Sequence, residues 1–364
     1  MGLKVFILNI VLSFFNFFVK ACPIDPKKVS FVSLESNTLQ DDMKMIYDEI
    51  KDDGYHISLV LTTFQKNNLW TNFTYFLNTI KQLYVINTSA LVILNDNNFV
   101  VSKYKRDKVK VIQLWHASGA IKKFGNVITR SYPIANYDYV LCNGNYWIKP
   151  YSAAFSVQEN QVLPIGMPRL DCVVNAEYME QERQKMFSRY PEWKGKHIVL
   201  YAPTFRGDIY QGVHNIPIQL ENIAKQMGDD TIVIYKCHPL LHNVSYPKSS
   251  RVYNMTDEKL YSLFSISECL ISDFSSIVLD YALLNKPVYA YVPDLQTYLK
   301  ERGCFVDFYD LMQDNIAESE EQLISIMKAG KNFSHVITEK YIDCKDGKNL
   351  TRTVSLIRSI LQDK

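Results

Sequence analysis

The sequence predicts an α/β protein of two similar domains, each built around a parallel sheet. Three observations carry that expectation. The chain has 364 residues, more than twice the roughly 150 of an ordinary domain. Hydrophobic residues make up 47% of it and aromatics 13%, enough for two buried cores and unlike a disordered chain. Short apolar runs, many of them β-branched, alternate with amphipathic stretches, as strands buried on both faces alternate with crossover helices.

The first element is an apolar run over 5–19, VFILNIVLSFFNFFV, interrupted only by Asn9, Ser13 and Asn16. At about 1.5 Å per residue it reaches roughly 22 Å, short of a ~30 Å hydrocarbon core. Asn9, Ser13, Asn16 and Lys20 fall at i, i+4, i+7 and i+11, which draws one narrow polar stripe down a helix. Residues 1–22 are therefore expected as an amphipathic helix in a membrane surface, with the broad apolar face in lipid. A cleaved signal starting at Lys4 and an ordinary buried helix remain as alternatives.

After the break at Pro23 and Pro26, a strand is expected at 29–32 and a helix at 41–51. Further strands at His56–Leu61, 90–94, 109–113, 139–142 and 161–165 complete an N-terminal domain over 27–177. The strongly polar stretch 178–196 ends in Pro-Glu-Trp-Lys-Gly and reads as a linker. A second series, His197–Tyr201, Thr231–Tyr235, Cys269–Ser272 and Val288–Tyr291, gives a C-terminal domain over 197–345. A helix near 350–361 closes the chain within a last segment, 346–364. Two such domains in series place a ligand cleft at the carboxyl ends of their strands.

Charge and cysteine usage narrow the function. Forty Lys and Arg against 38 Asp and Glu leave +2, without the basic excess of a dedicated nucleic-acid binder. Seven scattered cysteines show no CxxC pair, so neither a zinc site nor a disulfide framework is expected, and a reducing compartment is favoured. No P-loop lysine motif or GxGxxG fingerprint occurs, which disfavours a P-loop NTPase or a dinucleotide enzyme.

Five polar clusters directly follow expected strands. In 113–125, QLWHASGAIKKFG, a strand runs into His116, then small residues around Ser118, then Lys122 and Lys123. An imidazole there can act as general base toward a hydroxyl; the ordinary alternative is a helix-capping loop. The second cluster, 165–171, carries Arg169 and Asp171, which a structural pair between the two would also explain. The third brings Thr204 and Arg206 to a strand end, where a guanidinium fork can clamp phosphate oxygens. The fourth delivers Lys236 and His238 before Pro239 stops the strand. The fifth, 270–281, opens a helix with Ser275 and Ser276 after Asp273. Free N–H groups and the dipole there favour an anion, and a simple serine cap is the plainer reading.

Taken in order, the clusters resemble the CDP-glycerol glycerophosphotransferase family of teichoic acid synthesis. The resemblance runs from about Val29 to Asp307. It rests on Trp115-His116 with Lys122-Lys123, Gly166-x-Pro168-Arg169-x-Asp171, Tyr201-Ala202-Pro203-Thr204-x-Arg206, His238-Pro239 and Ser272-Asp273-Phe274-Ser275-Ser276 with Asp280-Tyr281. Tyr289-x-Tyr291, Asp294-Leu295, Tyr298 and Gly303-x-x-x-Asp307 also fit.

The resemblance implies a GT-B-like architecture of two Rossmann-like domains with nucleotide bound mainly by the second. It also implies peripheral attachment to the cytoplasmic face of a bacterial membrane. The implied reaction moves glycerol phosphate from CDP-glycerol to an acceptor hydroxyl and releases CMP. On this reading His116 is the base on the acceptor side, with Ser118, Lys122 and Arg169 near the acceptor. His238, Thr204, Arg206, Ser275 and Ser276 hold or neutralise the pyrophosphate, Asp273 supports their loop, and Asp280 helps position the nucleotide. No metal cage and no tightly bound cofactor are expected; any magnesium would come with the substrate. Many chain-extending members have His-Gly-Thr-Pro where this chain has His116-Ala117-Ser118-Gly119, and no large additional domain is seen. Priming on an undecaprenyl-diphosphate-linked ManNAc–GlcNAc disaccharide is therefore favoured over extension of a growing teichoic acid chain. A ribitol phosphate polymerase, a GT-B sugar-nucleotide glycosyltransferase or epimerase, and a lipid-anchored scaffold processed at Cys22 are the rival readings.

Overall fold

Every apolar run marked as a strand in the sequence is a strand in the computed structural model, which describes residues 3–63, 69–208, 212–238, 246–247 and 249–362. The chain divides into two units. Unit 1 comprises 1–118, 124–171 and 348–364; unit 2 comprises 119–123 and 172–347.

Unit 1 holds β1 (Asp25–Ser33), β2 (His56–Leu61), β3 (Ser89–Leu94), β4 (Lys110–Gln113), β5 (Tyr139–Leu141) and β6 (Val162–Leu163). Their order is β2-β1-β3-β4-β5-β6, parallel throughout. All six residues of β3 are buried, as helices on both faces of a parallel sheet require. Ser30 and Ser89, the two hydroxyls that this burial would strand, bond each other at 2.7 Å.

The helix Leu3–Val19 packs on helix Leu69–Asn87 and buries Leu12 completely, a contact worth about 1.5–3 kcal/mol. Two residues of its polar stripe meet protein: the Tyr104 hydroxyl lies 3.1 Å from Asn9 Oδ1 and 3.2 Å from Ser13 Oγ. Phe6, Ile10, Phe14, Phe17 and Phe18 point outward, Phe17 at 75% exposure. Among the described residues no helix is long and apolar enough to cross a membrane.

Unit 2 holds β7 (His197–Tyr201), β8 (Arg206–Asp208), β9 (Gly212–His214), β10 (Thr231–Tyr235), β11 (Val252–Asn254), β12 (Cys269–Ser272), β13 (Val288–Tyr291) and β14 (Ile316–Ala317). Six of these form a second parallel sheet, β11-β10-β7-β12-β13-β14, and β8 and β9 pair as a short antiparallel hairpin. Counted from β7, the strand order is that of a dinucleotide-type doubly wound sheet. Val199, Val233, Ile271 and Tyr289 carry its core toward helices Leu220–Met227 and Glu320–Ala329.

Three expectations about domain limits are corrected. The stretch 178–196 is no linker: it is helix Ala176–Arg189 and the turn Pro191–Trp193, both in unit 2. The Asn175 side chain caps that helix through Tyr178 N at 3.0 Å. The polar composition reflects a helix that buries only Glu182 and Met186, with Glu182 bonded to Ser262. The final segment 346–364 is not separate, because helix Asn349–Gln362 belongs to unit 1 and packs on helix Asp41–Ile50. Residues 119–123, read as part of the first domain, belong to unit 2 through backbone bonds from Lys123 N to Gly303 O (3.0 Å) and from Phe305 N to Ile121 O (2.9 Å).

Candidate functional site

An open parallel sheet holds ligands beyond its strand ends where successive strands part to opposite sides. In unit 1 that point lies between β1 and β3, because β2 pairs on the other side of β1. Glu35 follows β1, Asn95 and Asp96 follow β3, and His116 follows β4. His116 Nδ1 lies 2.9 Å from Glu35 Oε1, and Asn95 Nδ2 donates to Glu35 Oε2 at 2.7 Å. Gln113 ties the two strand exits together, donating to Asp96 O at 2.9 Å and accepting from Trp115 N at 2.9 Å. Trp115 sits at φ 60, a left-handed conformation that a bulky residue adopts only when its surroundings enforce it. Its ring packs against His116 and stacks on Phe124 at 4.4 Å. The loop then closes at Gly125, where a Cβ would lie 2.2 Å from Ala154 O, so only glycine fits.

Partial desolvation by the surrounding protein depresses the His116 pKa, but the Glu35 hydrogen bond and charge, with Asp96, outweigh it and raise the pKa above 6.5. The imidazole is 45% exposed, leaving its edge open to a substrate. Burial pushes the Asp96 carboxyl upward.

Two of the expected acceptor-side residues are otherwise engaged. Arg169 donates its backbone N–H to Asp42 Oδ1 at 2.7 Å, pairs its guanidinium with Asp42 Oδ2, and reaches Ser118 Oγ at 3.1 Å. Arg169, Ser118 and Asp42 are all buried, so this triad braces unit 1 rather than presenting a cation. Asp171 accepts from Asn349 N and Leu350 N at 3.0 and 2.9 Å and caps the closing helix. Lys122 lies in unit 2 among the charges of Asp273, Arg302 and Arg206, where burial lowers its pKa.

In unit 2 the corresponding point lies between β7 and β12, which place Thr204 and Asp273 side by side. Asp273 accepts from Thr204 N (3.0 Å), Thr204 Oγ1 (2.8 Å) and Arg206 Nη1 (2.7 Å). Asp294 takes the other side of the guanidinium, at 2.6 Å from Nε and 3.1 Å from Nη2. Nη1 also donates to Thr204 Oγ1 at 3.2 Å. Four of the five guanidinium N–H groups thus have protein partners, and Tyr298 and Phe274 cover the planar face at 4.7 and 5.3 Å. In this structure the guanidinium expected as a phosphate clamp is held between two carboxylates. Burial alone would lower the Arg206 pKa; its hydrogen bonds and charge contacts to Asp294 and Asp273 raise it instead.

The remaining candidates lie in the same unit. Ser275 and Ser276 are half-buried ahead of helix Ile277–Ala282, and Ser276 caps it without a side-chain bond. His238 packs edge-on against Phe205 at 4.9 Å, and Pro239 lies outside the described residues. Lys236 points elsewhere, donating to Thr256 O and Glu258 O at 2.6 Å each. Asp280 is buried and accepts from Tyr261 OH at 3.0 Å.

The family described as CDP-glycerol:poly(glycerophosphate) glycerophosphotransferase matches residues 13–359. The chain belongs to this family. It is 31% identical to the teichoic acid ribitol-phosphate primase of Bacillus spizizenii (strain W23), over 99% of both chains. It is 27% identical to the teichoic acid glycerol-phosphate primase of Bacillus subtilis (strain 168), over 96% of both chains. In fold it matches the wall teichoic acid polymerase TagF with a TM-score of 0.72 at 20% identity, covering 97% of this chain and 93% of that one.

In this glycerophosphotransferase-family chain, sequence reasoning missed Glu35, Asn95, Asp42 and the partnership of Asp294 with Arg206. One signal was available for the first two: each follows a strand adjacent to the switch point, where ligands and their supporting groups collect. Nothing local marks Asp42, whose partner stands 127 positions away.

Proposed function

We propose that the chain transfers glycerol phosphate from CDP-glycerol to a hydroxyl of a lipid-linked acceptor in teichoic acid synthesis, releasing CMP. The favoured role is priming on an undecaprenyl-diphosphate-linked ManNAc–GlcNAc disaccharide at the cytoplasmic face of the membrane. The observation that carries the reading is a half-exposed imidazole, held by a carboxylate at the switch point of unit 1, in a chain matched by the family over 13–359.

Neutral His116 takes the acceptor proton as the hydroxyl oxygen attacks the glycerol-side phosphorus. The new P–O bond forms as the bond to the bridging oxygen breaks, and CMP leaves with that electron pair. Such a transfer needs alignment and charge stabilisation more than covalent help. Unit 2 supplies these on the donor side through His238 and the Ser275 and Ser276 hydroxyls, with Lys122 as the nearby cation. Thr204, Arg206 and Asp273 keep that loop in shape, and Asp280 orients the nucleotide. No resident cofactor takes part; a magnesium ion would arrive with the pyrophosphate. The outward phenylalanines of helix Leu3–Val19, with exposed Phe73 and Leu77 on the helix beside it, support seating on a lipid surface.

The 31% identity to a ribitol-phosphate primase favours one second reading, in which the donor is CDP-ribitol. Incubation with either donor and the lipid-linked disaccharide, followed by CMP detection and mass spectrometry of the lipid, tests both. One added glycerol phosphate supports the first reading, one added ribitol phosphate the second. A ladder of additions overturns priming, and no CMP from either donor overturns the transfer itself.

A further inference from the structure

We infer that Glu35 is a positioning residue for His116: its carboxylate accepts the Nδ1 proton, leaves Nε2 as the basic nitrogen, and is itself fixed by Asn95. The inference rests on the proposed reaction for its catalytic meaning, while the geometry stands without it. Glu35 Oε1 lies 2.9 Å from Nδ1, and Asn95 Nδ2 holds Oε2 at 2.7 Å. The three residues leave three neighbouring strands, β1, β3 and β4. Their spacing is thereby set by the rigid sheet rather than by one flexible loop.

A neutral imidazole has one N–H, and the nitrogen that keeps it is decided by the partner the ring finds. A carboxylate only accepts, so Glu35 demands the Nδ1–H tautomer. When Nε2 takes a proton from the acceptor hydroxyl, the imidazolium that forms is stabilised by the same carboxylate. The charged groups facing His116 are Glu35 from the β1 exit, Asp96 from the β3 exit and Arg169 from the β6 exit; Arg130 also faces Asp96. Glu35 lies within hydrogen-bond distance of the ring.

The test is a histidine-ring NMR titration of the full-length protein, with His116 assigned by its loss in His116→Asn. The wild type should show the Nδ1–H tautomer and a midpoint above 6.5. Glu35→Gln, which preserves size, should lower the midpoint by at least about half a pH unit and weaken the tautomer preference. Asn95→Ala keeps every charge, and should weaken that preference with a smaller change in midpoint. In turnover with the CDP-linked donor, Glu35→Gln should lower kcat at least about tenfold, leave the donor KM within about twofold, and move the acid limb of the pH profile downward. An unchanged tautomer and midpoint in folded Glu35→Gln overturn the inference, as does a kcat within twofold of wild type. Wild-type inactivity with both donors would overturn the proposed reaction, while the NMR arm still decides the pair.

Discussion

Replacing Asp273 by Ala separates a brace from a phosphate clamp. Asp273 is buried and accepts three hydrogen bonds, two from Thr204 and one from Arg206. Its removal strands the Thr204 N–H and hydroxyl, each worth about 1–3 kcal/mol when left unpaired in the interior. It also breaks the buried ion pair to Arg206, which keeps its pair with the half-buried Asp294. Breaking a buried pair from one side costs about 3–5 kcal/mol, and the retained Asp294 holds the total near that range. For a unit of this size each kcal/mol moves Tm by about 2–4 °C, so the unit 2 transition should fall by roughly 6–20 °C in differential scanning calorimetry. Asp229→Ala is the control: that side chain is fully exposed, and a surface change should stay within about 0.5 kcal/mol. A Tm within about 2 °C of wild type, with donor affinity changed instead, would refute the brace and restore Arg206 as a phosphate ligand.

Two further outcomes are expected. Phe14→Glu with Phe17→Glu should release the protein from anionic vesicles in a flotation assay without lowering Tm, since both rings are exposed; retained binding would show that another surface carries the contact. The raised His116 pKa sets a sign for pH dependence: its contribution to stability is full below 6.5 and lost as pH rises through the folded-state value. Activity should run the opposite way, rising with pH as His116 becomes neutral, and parallel melting and rate profiles check both.

The sheets were legible because strands buried on both faces leave continuous β-branched runs, as in β3 and β10. Clusters following those runs were found for the same reason. What the sequence hid was the engagement of each polar side chain. Arg206 beside Thr204 looks like a free fork until β12 and the residues after β13 bring in Asp273 and Asp294. Arg169 looks like an acceptor-side cation until helix Asp41–Ile50 supplies Asp42. Glu35 stands 81 positions before His116 with no motif of its own, and only the β2-β1-β3-β4 order makes them neighbours. The helix Ala176–Arg189 was hidden by its own chemistry, since a surface helix that buries two residues has the composition of a linker.

The central claim is that His116 performs the proton transfer on the acceptor side while donor binding belongs to unit 2. It is tested most directly by comparing wild type with His116→Ala in single-turnover CMP release and in donor titration calorimetry. Release should fall at least about 100-fold while the donor Kd stays within about twofold. Loss of donor binding in His116→Ala, or turnover close to wild type, would contradict it.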